Sequence, residues 1–157
     1  ANETGDAFIH LADVSNNFRA SIPFEEYFSR KNYTYENNHN KFLHIPSVLL
    51  AKSSCFHFFT KNKGVSKHPN FQIFFSENNA LIGFRTFEII DKSSLTIKKI
   101  KESLRKNNLD KLNIIMKGIN ELPAKWHKKL GTSDGGDWFL FLLKSGDSEA
   151  ILCKRFI

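Results

Sequence analysis

The sequence predicts an α+β chain of two small two-layer units, the second running β-α-β-α-β-β around a mostly antiparallel sheet. Three observations carry this expectation. From Trp138 to Leu143 every residue is apolar and three are Trp or Phe, the mark of a strand buried on both faces. Ile97, Ile100 and Leu104 repeat at helical spacing between two strand-like runs. The chain has 157 residues, enough for one medium domain or two small ones.

The chain opens Ala-Asn-Glu-Thr-Gly without a Met, so a cut or processed form of a longer protein is expected. Residues 1–41 read as an N-terminal arm or linker. Phe8 to Val14 can form a short strand. Asn16 to Asn40 is polar and rich in Asn, with Tyr27, Phe28, Tyr33 and Tyr35 scattered through it. FEEYFSR, after Pro23, is one or two helical turns. The aromatics suit stacking on nucleobases or, the reading we favour, anchoring the arm to a domain. Residues 42–83 form the first small module. Phe42 to Ile45 leads into Pro46-Ser47, a helix entry. Val48, Leu49, Lys52, Cys55, Phe56 and Phe59 follow helical spacing until Lys61 to Gly64 stops them. Ser66 to Asn70 reads as a turn and Phe71 to Phe75 as a strand.

Residues 84–157 form the second unit. Phe84 to Ile90 alternates as a half-buried strand. Ser93 or Ser94 can cap the helix that follows, and Asn107-Asn108 ends it. Leu112 to Ile119 is another strand. Pro123 sits where a helix start tolerates its missing N–H. Trp126 and Leu130 share one face of that helix, and Gly131 stands at its stop. Gly135-Gly136 gives backbone freedom for a tight turn. Ser145-Gly146-Asp147 signals a hairpin, so Ala150 to Phe156 can pair back on Trp138 to Leu143.

Net charge is +7, and it is concentrated. Lys92 to Lys129 holds 11 of the 23 basic residues and 3 of the 16 acidic ones, leaving 12 and 13 for the rest of the chain. Such a local surplus is the footprint of a polyanion partner; the alternative is a solvated lysine-rich face. Cys55 and Cys153 lie in apolar segments and read as reduced core residues, with a disulfide or a nucleophile as the lesser alternative. The six histidines form no metal pattern and there is no CxxC. Asp134 and Asp137 flank the Gly pair, yet the further ligands of a calcium loop are missing. The Gly amides suit a phosphate, but the flanking aspartates repel one. No nucleophile–base pair is visible, so no catalytic, cofactor-binding or metal residue is assigned. No run of 18 apolar residues exists, so no membrane span is expected. A cytoplasmic location follows as the expectation.

The run LNIIMKGINELPAKWHKKLGTSDGGDWFLFLL resembles the C-terminal region of a bacterial class I SAM-dependent methyltransferase family that ends in a THUMP-like domain. The matching residues are Pro123, Lys129-Leu130, Gly135-Gly136-Asp137, Phe139-Leu140-Phe141 and Cys153-Lys154. Upstream, IPSVLLAKSSCFHFFTKNKGVSKHPNFQIFFSE resembles the small ferredoxin-like module that precedes it. The resemblance covers residues 42–157. Gly83-Phe84-Arg85 keeps only part of the family's Pro-Gly-Arg, and Trp126-His127 stands where the family more often has Leu and Arg. No strand followed by a Gly-rich loop, with an acidic residue beyond it to hold a ribose, is present. The catalytic half is therefore absent, and SAM is expected only in that missing domain, with no cofactor in this chain.

The resemblance implies a non-catalytic module that binds structured RNA and presents it to its own catalytic domain. Lys98, Lys99, Lys101, Arg105, Lys125, Lys128 and Lys129 would contact phosphates. Trp126 would stack on a base or pack in the core. A second expectation is a structural or protein-interaction domain that packs on the catalytic domain without RNA. A third is a hydrolase using Asp134 or Asp137 with a His. These differ in what they require. RNA binding needs the lysines of both helices on one face. Packing needs an exposed apolar patch near the Asn-rich arm, and hydrolysis needs a pocket holding the Gly-Gly-Asp turn and a His.

Overall fold

The computed structural model describes residues 7–15, 17–28, 40–61, 63–79 and 81–156 and forms two compact units. The first comprises Ala1–His39 and His44–Arg85, the second Asn40–Leu43 and Thr86–Ile157.

In the first unit, β1 (Phe8–Asp13) pairs antiparallel with β2 (Phe18–Pro23), setting Leu11 opposite Ala20. Leu11 and Ile22 are the buried residues of this hairpin. α1 (Phe24–Phe28) follows directly. β3 (Phe42–Pro46) gives its last three residues to this unit. α2 (Val48–Ser53) and α3 (Phe56–Thr60) come next. β4 (Ser66–Lys67) and β5 (Phe74–Ser76) pair antiparallel, and β5 neighbours β3. Leu11, Ile22, Leu50, Cys55, Phe56 and Phe74 make the core. Gly83, at φ +83°, lies against Leu50, whose Cδ1 would be 2.6 Å from an added Cβ; a side chain there would collide as well as strain the backbone.

Several expectations for this half change. Phe18–Pro23 is a strand within the stretch read as an arm, because Ile22 alternates into the core. The single helix expected from Val48 to Phe59 is two. Ser47 Oγ accepts from Leu50 N–H at its start, and Ser54 turns left-handed at φ 56°, where two adjacent serines offer little helical preference. The strand expected at Phe71–Phe75 shrinks to Phe74–Ser76, since His68 N–H donates to Ile73 C=O across a turn. The anchoring or stacking of Tyr33 and Tyr35, and the side chains of Tyr27 and Phe28, lie outside the described residues.

The second unit contains β6 (Phe84–Ser94) from its third residue on, α4 (Ile97–Lys106), β7 (Asn113–Lys117), α5 (Pro123–Leu130), β8 (Trp138–Leu143) and β9 (Glu149–Arg155). This is the predicted β-α-β-α-β-β order. β9 lies antiparallel to both β6 and β8, while β7 runs parallel to β8, an arrangement that needs α5 as the crossover. On the far side of β6, Ile89 N–H donates to Lys41 C=O, so the chain entering β3 borders this unit's sheet. β8 is buried along almost its whole length, as its continuous apolar run requires. Leu140 and Leu142 face a core of Ile100, Leu104, Trp126 and Leu130. Phe139 and Phe141 point the other way and meet the Phe87 ring edge-on, at 4.8 and 5.2 Å between centroids.

Thr96, rather than Ser93 or Ser94, caps α4 and accepts from Lys99 N–H, because β6 continues through Ser94 and a β-bulge beside Ile90. Pro123 opens α5, and Gly131 closes it in the left-handed conformation at φ 73°. Cys55 and Cys153 are buried free thiols, and burial pushes the Cys153 thiol up. Among the described residues, no helix is long and apolar enough to cross a membrane.

Candidate nucleic-acid interface

α4 turns Ile100, Ser103 and Leu104 inward. A helix turns 100° per residue, so Lys98, Glu102 and Arg105 fall on the opposite side, flanked by Lys99, Lys106 and Lys101. Lys98, Lys99, Arg105 and Lys106 are exposed and Lys101 is half-exposed. α5 turns Trp126, His127 and Leu130 inward and leaves Lys125, Lys128 and Lys129 exposed. Both helices pack on the core they share with Leu140 and Leu142, and they touch each other. Seven of the predicted contact residues therefore lie on two neighbouring helices that cover one side of the sheet. Lys106 adds an eighth cation that the predicted set omits.

Two acids temper this surface. Lys99 pairs with Glu102 at 3.1 Å. Glu121 accepts from Lys125 at 2.8 Å and from Lys129 at 3.3 Å. The hydrogen bond from Lys125, seconded by that from Lys129, holds the Glu121 carboxyl below the usual carboxylate range. Among the described residues, Lys98, Lys101, Arg105, Lys106 and Lys128 enter no ion pair, so they are the cations most available to a polyanion.

Trp126 takes the packing role of its two predicted ones. It is only 8% exposed, and Lys129 Nζ stands 4.9 Å over its ring, a cation–π contact that covers the face a base would use. One edge of Trp126 borders a cleft of about 520 Å³ with Ile119, Asn120, Glu121 and Lys144. Nothing in the charge count singles out Lys144. It reaches this cleft because β8 and β9 place the end of their hairpin beside the start of α5.

His127 Nδ1 lies 2.8 Å from Thr132 Oγ1, just past the end of α5, while its buried Nε2, 3.6 Å from Asp134 Oδ1, makes no hydrogen bond among the described residues. The 520 Å³ cleft is not lined by Asp134, Asp137 or a His. Among the described residues, no group of three or more His, Cys, Asp or Glu is placed to hold a metal ion.

Residues 84–155 match the family model described as THUMP domain-like. The fold of the chain is also similar to a crystal structure of a putative methyltransferase from Porphyromonas gingivalis W83. The TM-score is 0.74 and the identity 21%, over 96% of this chain and 38% of that one. The chain thus spans well under half the length of that relative. A 4-thiouridine synthetase–RNA complex with bound ATP matches at TM-score 0.40 and 12% identity, over 74% of this chain and 42% of that one. TrmN from Thermus thermophilus matches at 0.39 and 7%, over 74% and 45%. No curated protein sequence matches the chain.

Proposed function

We propose that this chain, whose residues 84–155 are a THUMP domain-like unit on a fold shared with part of a methyltransferase-type structure, is the RNA-holding portion of a longer SAM-dependent methyltransferase of the cytoplasm. The chain itself performs no chemistry. The ferredoxin-like module at residues 42–83 and the unit at residues 84–157 grip structured RNA and present it to a catalytic domain outside this sequence, where SAM is bound. The observation that supports this reading is a pair of touching helices with Lys98, Lys99, Arg105, Lys125, Lys128 and Lys129 exposed and Lys101 half-exposed. Lysines so placed bind phosphates without reading sequence, which suits a module that positions RNA for another domain.

The test is a titration of the chain with bulk tRNA at low and at near-physiological salt. Micromolar binding that weakens steeply with salt, and drops in a Lys98→Glu/Lys99→Glu/Lys101→Glu variant, is expected. No binding at low salt overturns the reading. A packing domain that needs no RNA is the second reading, and one observation favours it. Phe8, Phe24, Val48 and Ile82 of the first unit are 48–71% exposed; where such apolar side chains form a contiguous patch they mark an interaction site.

A further inference from the structure

The cleft beside Trp126 is not part of the outward face of the two helices. Three connections converge on it: Leu95 between β6 and α4, Ile119 to Glu121 between β7 and α5, and Lys144 with Ser148 between β8 and β9. Its volume of about 520 Å³ falls in the range of small-molecule sites. Its walls and its rim differ in character. Leu95, Ile119 and the edge of Trp126 are apolar. Asn120, Glu121 and Lys144 supply a neutral, an acidic and a basic group at the opening. The Lys144 backbone is pinned by its N–H to Lys117 C=O at 2.9 Å, and Ser148 Oγ braces the turn on Ser145 C=O at 3.0 Å. The rim is therefore carried on braced backbone, with the Lys144 side chain exposed at its end.

A ligand for this cleft must combine three properties. It needs a compact apolar body for Leu95 and Ile119, N–H donors for a carboxylate that stays ionised, and a negative charge for Lys144. A simple anion lacks the body, and an apolar compound leaves Glu121 and Lys144 unanswered. A nucleotide has all three. We infer that the cleft receives one unpaired nucleotide of the bound RNA, with its base inside, its phosphate on Lys144 and the N–H donors of the base on Glu121. Lys125 donates to Oε1 at 2.8 Å, and Lys129 is shared between Oε1 and Oε2 at 3.4 and 3.3 Å; the base takes the acceptor capacity that this long, shared contact leaves on the carboxylate. Guanine offers two adjacent donors, N1–H and N2–H, where uracil offers one, so the site favours guanosine. This rests on the RNA-holding reading and adds to it a point of base selection.

The test uses the whole chain carrying Trp138→Phe, so that Trp126, one of two tryptophans, reports alone. The probes are a labelled uridine hexamer, the same hexamer with one internal guanosine, and bulk tRNA. The guanosine hexamer should bind about tenfold more tightly, the scale of one good bidentate base contact, and should change Trp126 emission. Asn120→Phe, which fills the cleft from an exposed position, should erase that preference and leave tRNA binding within a few-fold. Lys144→Glu should weaken both hexamers, and Glu121→Gln should abolish discrimination while freeing two lysines. Equal binding of the hexamers, unchanged Trp126 emission, or an Asn120→Phe variant that still prefers guanosine overturns the inference. If tRNA binding persists in that case, the basic-face reading stands without the cleft. Loss of all binding in the unaltered chain removes both.

Discussion

Reversing three α4 charges that have no acidic partner, by Lys98→Glu, Lys101→Glu and Arg105→Glu, should flatten the salt dependence of RNA binding. Among the described residues, five cations on the two helices enter no ion pair: these three, Lys106 and Lys128. Each phosphate contact on a duplex contributes about −0.9 to the slope of log K against log salt, so five give roughly −4.5. Between 50 and 200 mM salt the parent should then lose about 500-fold in affinity. With Lys106 and Lys128 remaining, the slope falls to about −1.8 and the loss to about 12-fold. Lys99→Glu by itself should change the slope by less than one, because Glu102 already faces that lysine at 3.1 Å. The triple variant should stay folded. Glutamate in the first turn is favoured by the helix dipole and in the last turn disfavoured, by about 0.3–1 kcal/mol each, so the two largely offset. Fluorescence anisotropy on a labelled tRNA over five salt concentrations measures both slopes. A parent slope near zero, or a triple variant whose slope stays within about one of the parent's, would refute the reasoning.

Three further outcomes test the fold beneath the interface. Leu140→Ala removes a residue 2% exposed from the core that seats both basic helices, and should cost about 3–5 kcal/mol in urea unfolding; a loss under 1 kcal/mol would mean the helices do not rest there. Gly131→Ala should cost about 1–2 kcal/mol through backbone strain alone, because φ is +73° and nothing lies within 4 Å of the added carbon; an unchanged melting temperature contradicts this. Burial holds His44 down to about 4, below its ordinary value of about 6.5. Between those pH values the unfolded chain binds the extra proton, so the contribution is complete above about pH 6.5 and is lost as pH falls toward 4. The loss is on the order of 3 kcal/mol. Denaturation midpoints from pH 7 to 4 should show it, and His44→Gln should flatten the profile.

The second unit was legible because each of its elements carries its own signal. Ile100 and Leu104 repeat at helical spacing, Pro123 and Gly131 bracket α5, and the unbroken apolar run of β8 demands cover on both faces. The first unit was less legible, for physical reasons. Ile22 and Leu11 alternate into a core in a hairpin otherwise written in polar and small residues, so β2 has a weak pattern. Val48 to Phe59 keeps helical spacing across a break that depends only on Ser54 turning left-handed. The basic interface could be read as a charge surplus, since like charge on two helices persists whatever their packing. The cleft could not, because Leu95, Asn120 and Lys144 come together only once three separate connections have folded to one end of the unit.

The division of β3 also bears on how the chain is made. Asn40–Leu43 belong to the second unit, with Lys41 C=O bonded to Ile89 N–H and the Phe42 ring edge-on to Phe156 at 5.1 Å. A ribosome releases those few residues long before β6 and β9 exist. Their strand edge waits for β6 to emerge, and the Phe42 ring waits for Phe156, nearly the last residue. A fragment cut at residue 84 would copy the boundary of the matched family segment and still lack a piece of its own unit. Expression trials should therefore begin upstream of Asn40, and the shorter fragment should be the one that aggregates.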